Sequence, residues 1–403
     1  MRRQARATGS SRRSESRPGV VLAAAFAAVL ALLAVLGTGP SELRRPHAGR
    51  GIRVELGDGL GTADFARAVE RREYLLPLDH GPHFEYQTEW WYYTGHLRAG
   101  ERRYGFQLTF FRRGLSPGAP PDEGGLATNQ IYFAHFAITD VAAGKHLFAE
   151  RWGRGAGGLA GAETAPFSVW LEDWRVEATN DDGGTVRLVA RDGPLLLDLE
   201  LETRKPLARH GDRGLSPKSP ESGNASHYVG YTRLGACGQL AVDGHARPVS
   251  GEAWFDHEWS TSALGARAVG WDWFSLQLDD ETELLFFQIR REDGSIEPVS
   301  SGTLVAGDGR TRRVSATAVS LTVLDRWTSP ETGATYPALW RLRVPEEGLD
   351  LLVEPWIPNQ EMRTSFVYWE GAVRVSGTRG GQPLRGQGYV ELTGYERTMQ
   401  GVF

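Results

Sequence analysis

From Glu89 onward the chain repeats with a period of two. Glu89, Trp91 and Tyr93 fall on one side of an extended segment, and Tyr104, Phe106, Leu108 and Phe110 on one side of the next. Alternate residues of a strand share a face, so this period predicts β-structure. Strands are expected at Glu89–Leu97, Tyr104–Phe111, Ile131–Thr139, Trp174–Thr179, Thr185–Arg191, Leu195–Thr203, Tyr228–Leu234 and Gly251–Trp259. Turn-forming residues divide them, as in Asp181-Asp182-Gly183-Gly184 and Asp192-Gly193. A second set begins at Asp272 and continues through Thr282–Arg290, Ala338–Val344, Leu349–Pro355, Phe366–Val375 and Leu384–Leu392. No long amphipathic helical pattern follows residue 70, and the spacing is that of antiparallel meanders rather than βαβ units.

The fold class is therefore all-β, with two antiparallel units. With 403 residues the chain exceeds one small core. Closure into barrels would remove the exposed sheet edges. The boundary is placed near residue 262, which makes 71–262 the first domain and 263–403 the second. Before them, Val20–Leu36 is an unbroken apolar run behind an arginine-rich stretch, the form of a signal peptide or an N-terminal anchor within residues 1–37. As a helix the run would extend about 26 Å, close to the thickness of a bilayer core. Residues 38–70 read as a polar linker. Arginines stay inside, so the folded part is expected outside the cytoplasm, secreted or tethered by that segment.

Composition changes the picture in three ways. The 50 glycines suit frequent tight turns. The formal charge of -5 includes the basic N-terminus, so the remainder is more acidic, which argues against a nucleic-acid partner. Cys237 is the only cysteine and permits neither an internal disulfide nor a thiolate metal cluster.

The candidate chemistry lies in Gly251-Glu252-Ala253-Trp254-Phe255-Asp256-His257-Glu258-Trp259 and Gly270-Trp271-Asp272-Trp273-Phe274. Ionisable groups among large rings can hold shifted pKa values. Alternation puts Phe255, His257 and Trp259 on one face and Trp254, Asp256 and Glu258 on the other. One metal ion cannot easily collect these groups from a flat strand, and a zinc ligand set is lacking, so no metal is expected. Asp272 shares a face with Phe274, Leu276 and Leu278, where a carboxyl group is desolvated and its pKa rises unless a cation pairs with it. Such an acid could protonate a carbon–carbon double bond, with tryptophan faces stabilising the cation and water completing a hydration. A buried, hydrogen-bonded histidine and an Asp capping a loop at a barrel mouth account for the same residues. Glu89 with Trp91 could set an acid at a cavity, and His135 lies on one face with Ile131 and Phe133. Gly153–Gly158 and Gly114–Gly118 match nucleotide-binding and nucleophile-elbow patterns, but neither sits between a strand and a helix, and both are expected as loops.

These segments, with Tyr86-Gln87-Thr88-Glu89-Trp90-Trp91-Tyr92-Tyr93-Thr94-Gly95, Ala134-His135-Phe136-Ala137, Val353–Glu361, Tyr368-Trp369-Glu370-Gly371 and Gly386–Tyr395, resemble the AttH/carotenoid 1,2-hydratase family over about residues 70 to 400. The resemblance implies two lipocalin-like β-barrels. In the hydratase branch it also implies cofactor-free addition of water to a terminal isoprenoid double bond, through a His-x-Trp pair and an aromatic-x-Asp pair. His257-Glu258-Trp259 matches the first pair. Asp272 matches the acid of the second, but Gly270 stands where its aromatic partner would be. The AttH-like branch implies association with a membrane export system, and the basic, apolar N-terminus is similar to that branch. The leading expectation is an extracytoplasmic protein that binds a long apolar ligand, a lipid or isoprenoid. The alternative is a hydro-lyase in which Asp272 donates the proton, His257 handles water, and Trp259 and Trp271 stabilise the cation. Glu89, Trp91, His135, Asp256 and Trp273 are the expected ligand-binding residues.

Overall fold

The computed structural model describes residues 64–121, 125–262 and 264–401. The apolar run at Val20–Leu36 and most of the expected linker lie outside the described residues. Among the described residues no helix is long and apolar enough to cross a membrane.

The first sheet is built from β1 (Thr88–Ala99), β2 (Arg102–Gly114), β3 (Gln130–Asp140), β4 (Lys145–Arg154), β5 (Ala160–Thr164), β6 (Phe167–Leu171), β7 (Trp174–Ala178), β8 (Thr185–Asp192), β9 (Leu195–Thr203), β10 (Ala208–Arg209), β11 (Leu215–Pro217), β12 (Ala225–Ala241) and β13 (Arg247–Ser260). Its order is β4-β3-β2-β1-β13-β12-β9-β8-β7-β6-β5, with β10 and β11 also paired to β12. The end strands are thus consecutive in the chain, and the sheet curls into a barrel shape.

The second sheet contains β14 (Ala268–Leu278), β15 (Glu283–Arg291), β16 (Ser301–Val305), β17 (Thr311–Ser315), β18 (Ser320–Thr328), β19 (Thr335–Val344), β20 (Leu349–Pro355), β21 (Glu361–Arg363), β22 (Val367–Arg379) and β23 (Gln382–Leu392). Its order is β17-β16-β15-β14-β23-β22-β20-β19-β18, with β21 beside β22. The tightest reversal, β22 to β23, uses Gly380 and Gly381, both at positive φ (57° and 82°). This is the backbone a two-residue hairpin turn of the primed type demands. The two antiparallel sheets curl into barrel shapes, the lipocalin-like form that the family resemblance implies. The short strands β5, β6, β10, β11, β16, β17, β18 and β21, and the longer β4, were not among the expected runs.

The alternation becomes three layers of packing. Inward residues fill the barrels: Trp91, Tyr93, Phe106, Leu108 and Phe255 in the first, and Phe274, Leu276, Trp340, Leu351 and Val390 in the second. The outward residues of β1, β12 and β13 meet those of β14, β15, β22 and β23. Tyr92, Tyr228, Trp254, Trp273, Phe287 and Tyr389 form a separate apolar cluster at this seam. Polar groups pin it. The Gln277 amide donates to the carbonyls of Thr232 and Ala253 at 2.9 Å each, and buried Glu283 receives Lys205 at 2.9 Å and Arg233 at 2.7 Å.

Candidate functional site

At one end of the seam the sheets part into a cavity of about 90 Å³. A single water needs about 10–15 Å³, so this one holds several waters or one end of a flat organic molecule. Its walls are aromatic: Trp90, Tyr92 and Phe111 come from the first barrel and Trp271, Trp273 and Phe287 from the second. Strand geometry forces this lining. Trp90 and Tyr92 stand opposite Glu258 and Asp256 in the β1–β13 ladder, while Trp271 and Trp273 stand opposite Ile289 and Phe287 in the β14–β15 ladder.

The polar end is made by Asp256, Glu258, Lys218 and Tyr228. Asp256 accepts from the Tyr228 hydroxyl at 2.5 Å and from the Trp254 indole at 2.9 Å. Tyr228 in turn accepts from the Trp273 indole at 2.9 Å. Glu258 binds Lys218 at 2.6 Å and accepts from Ser226. The Lys218 ammonium also lies 4.6 Å from the Phe287 ring centre, a cation–π distance.

On the opposite wall is Glu391, which accepts from the Trp271 indole and keeps part of its surface open to the cavity. Burial, with Asp256 and Glu258 adding to it, pushes its carboxyl up to about 7, against the hydrogen bonds from Trp271 and Glu370. Glu370 is its cross-strand partner in the β22–β23 ladder. It is fully buried and accepts from the Tyr92 hydroxyl at 2.6 Å. Burial and the neighbouring Glu391 carboxyl hold Glu370 well above the ordinary carboxylate range. Two carboxyl groups this close cannot both ionise without a cation between them. The cleft thus carries an acid that titrates near neutrality beside aromatic rings. It can hold a flat apolar molecule and exchange a proton with it.

Of the residues singled out by sequence, Asp256, Trp271 and Trp273 line this cavity. The others lie elsewhere. His257, Trp259, Glu89 and Trp91 point into the first barrel, on the opposite faces of the same two strands. There Glu89, fully buried, accepts from Arg112 at 2.9 Å and from His83 and His257 at 2.8 Å each. Burial alone would raise its pKa, but Arg112, His257 and His83 outweigh that and hold Glu89 well below the usual range. Burial tends to lower the His83 pKa, yet its hydrogen bonds to Asp79 and Glu89 raise it above the ordinary value. Burial lowers His257. His83, Glu89 and His257 place ligand atoms within 4.8 Å of one another, the one grouping of this kind among the described residues that could hold a metal. Arg112, His83 and His257 meet the Glu89 carboxylate and tie the segment before β1 to the barrel, while the buried Nδ1 of His257 has no hydrogen-bond partner among the described residues. Trp259 stacks on His83 at 3.8 Å.

Asp272 is separate from both groups. It faces into the second barrel, 2% exposed, where Arg290 (3.0 Å), Gln288 (2.7 Å) and Tyr395 (2.9 Å) donate to it. Arg290 pairs with it as a cation, and the structure does not bring Asp272 to His257 or to the cavity. At Gly270 an added Cβ would lie 2.4 Å from the Thr393 carbonyl oxygen and 2.9 Å from the Gly394 Cα. The close approach of that loop, rather than an open slot, is what occupies the place of an aromatic side chain. His135 bridges the seam away from the cavity, 2.8 Å from the Tyr368 hydroxyl and 3.0 Å from Glu150.

Sequence reasoning did not single out Lys218, Tyr228, Glu370 or Glu391 as site residues. Lys218 lies in the Pro-Ser stretch Ser216-Pro217-Lys218-Ser219-Pro220, outside the expected strands. Glu370 and Glu391 each sit two residues after a tyrosine on the same strand face, a signal visible in Tyr368-Trp369-Glu370 and Tyr389-Val390-Glu391.

Fold and site together define a class: two lipocalin-type barrels in tandem, with an acid-bearing cavity at the seam between their outer faces. The chain belongs to the AttH-like family, whose model matches residues 67–395. A crystal structure of a candidate AttH from Nitrosomonas europaea is similar over 82% of this chain and 100% of its own, with 36% identity and a TM-score of 0.73. Kievitone hydratase from Nectria haematococca shares the fold at 14% identity and a TM-score of 0.63, covering 83% of this chain and 98% of its own. CghA does so at 14% identity and a TM-score of 0.50, with 83% and 97% covered. No curated protein matches the chain.

Proposed function

We propose that the seam cavity binds one end of a neutral, largely apolar molecule, a lipid or isoprenoid, and that Glu391 exchanges a proton with it. This is the chemistry by which a hydro-lyase adds water to a carbon–carbon double bond. The observation that carries this reading is a carboxyl group titrating near neutrality on the wall of an aromatic cavity. A catalytic acid works best when its pKa lies near the working pH. A cation forming on the ligand would meet the faces of Trp271 and Trp273 and the carboxylates at the polar end, all of which favour positive charge. A fold-sharing neighbour bears the name of a hydratase, which agrees with this reading but does not replace the residue-level argument. A carrier role, with export across a membrane as its setting, uses the same cavity without the proton step.

The test is purification of the full chain from lycopene-producing cells, followed by incubation in ¹⁸O-labelled water and mass spectrometry of the organic extract. The proposed chemistry gives a product that has gained labelled water, lost in Glu391→Gln while bound pigment is kept. Unaltered pigment in both proteins assigns the carrier role. Equal turnover in both removes Glu391 from the mechanism.

A further inference from the structure

Resting on the reading of Glu391 as the proton-exchanging group, we propose that Glu370 is its positioning residue: a permanently protonated acid that never meets the ligand and donates a hydrogen bond to Glu391. Glu370 Oε1 is taken by the Tyr92 hydroxyl. Its other oxygen, Oε2, is fully buried and finds no donor in the protein. A buried oxygen is costly to leave without a partner. The neighbouring polar group is the Glu391 carboxyl, in register across the β22–β23 ladder and in hydrogen-bond contact. Two carboxylates can make that contact only if one is protonated. The proton belongs on the member that water cannot reach, and that is Glu370.

The arrangement explains how one side chain can both give and recover a proton. The Glu391 O–H bond breaks as its proton forms a C–H bond with the π electrons of the ligand. The carboxylate left behind is stabilised by the Glu370 O–H that points at it. Water then forms the C–O bond at the cation and releases a proton to Glu391, and the Glu370 proton is not consumed. The surrounding charges suit this cycle. Asp256 and Glu258 lie across the cavity, with Lys218 neutralising one of the two. Tyr368 and Tyr389 lie near the pair on β22 and β23; burial, with Glu370 and Glu391 beside Tyr368 and Glu370 beside Tyr389, holds both hydroxyls well above the ordinary tyrosine range. Neither therefore supplies a charge near neutrality. The class of ligand follows: an uncharged molecule with a nucleophilic double bond, since the site arrives with an acid rather than a base.

The experiment needs no ligand. Infrared difference titration of the full chain, with ¹³C-labelled glutamate, separates protonated from ionised carboxyl groups. One buried carboxylic acid should persist above pH 8 in the wild type and vanish in Glu370→Gln, while the group titrating near neutrality remains and is lost in Glu391→Gln. Glu370→Leu removes the hydrogen-bond donor and should raise the Glu391 midpoint by about one pH unit, a tenfold change in its dissociation constant. Glu370→Gln, which keeps a donor, should restore it. A purely structural role would leave that midpoint unmoved. The proposal is overturned if no acid persists in the wild type, or if the Glu391 midpoint is the same in the Leu and Gln variants. Because Glu370→Gln alone tests the persistent acid, the result does not depend on Glu370→Leu folding. Failure here would leave ligand binding and water addition, tested separately with lycopene, untouched.

Discussion

Replacing Glu89 with alanine separates scaffold from site. Glu89 is fully buried, and its carboxylate receives Arg112, His83 and His257 together with the His83 backbone amide at 3.0 Å. Arg112 is equally buried and would keep its bonds to Gln130 and to the carbonyls of His83 and Tyr86 (2.8–2.9 Å). It would thus remain in place as an uncompensated charge. Breaking one partner of a buried pair costs about 3–5 kcal/mol. If the first barrel melts as one cooperative unit, at roughly 2–4 °C per kcal/mol, its Tm falls by roughly 6–20 °C in calorimetry at pH 7. The pH dependence adds a sign. Folding lowers the Glu89 pKa, so its contribution is fully present above the unfolded value of 4.5 and is lost as pH falls through the depressed folded value. The wild-type advantage over Glu89→Ala should therefore shrink in acid. Binding of an apolar dye at the seam cavity, measured below both melting points, should not change, because Glu89 faces the other side of β1. A Tm within about 2 °C of wild type would refute the buried-pair reasoning.

Other outcomes test the division between barrel and seam. Asp272→Asn weakens the bonds from Arg290 and Tyr395 and should cost about 1–3 kcal/mol in urea unfolding. It should nonetheless keep labelled-water addition; loss of turnover with an intact fold would move the acid into the second barrel. Gly270→Tyr sets a side chain against the Thr393 and Gly394 backbone, which cannot give way, and should lower the urea midpoint by an amount equivalent to at least about 1–3 kcal/mol. A neutral dye should bind the cavity several-fold more tightly at pH 6 than at pH 8, because an apolar guest desolvates the Glu391 carboxylate but not its acid form. Fluorescence titration should show that difference flattened in Glu391→Gln.

The alternation in Phe255, His257 and Trp259 against Trp254, Asp256 and Glu258 was legible, because a strand's faces follow from residue spacing alone. So was the placement of Asp272 with Phe274 and Leu276. What the spacing could not show is which face turns toward another part of the chain. Arg290 reaches Asp272 from the next strand, Arg112 reaches Glu89 from β2, and Glu370 meets Glu391 through a ladder register; each depends on pairing that a single sequence does not encode locally. The histidine and the acid flanked by tryptophans are the residues that look chemical in isolation. Glu370 and Glu391 become unusual only once two strands lie side by side, with Glu370 shut away from water and Glu391 on the cavity wall.

Strand β13 serves two masters at alternate positions. Its inward residues hold the first barrel together, and its outward residues furnish the polar end of the cavity, with no side chain shared between the tasks. Point substitutions can therefore retune the cavity without disturbing the barrel. Insertion or deletion of a single residue within Trp254–Trp259 is another matter: it would send Asp256 and Glu258 into an apolar interior and turn His257 and Trp259 out to the seam. Change along this strand is confined to letters replaced in place, and its length is fixed by two constraints at once.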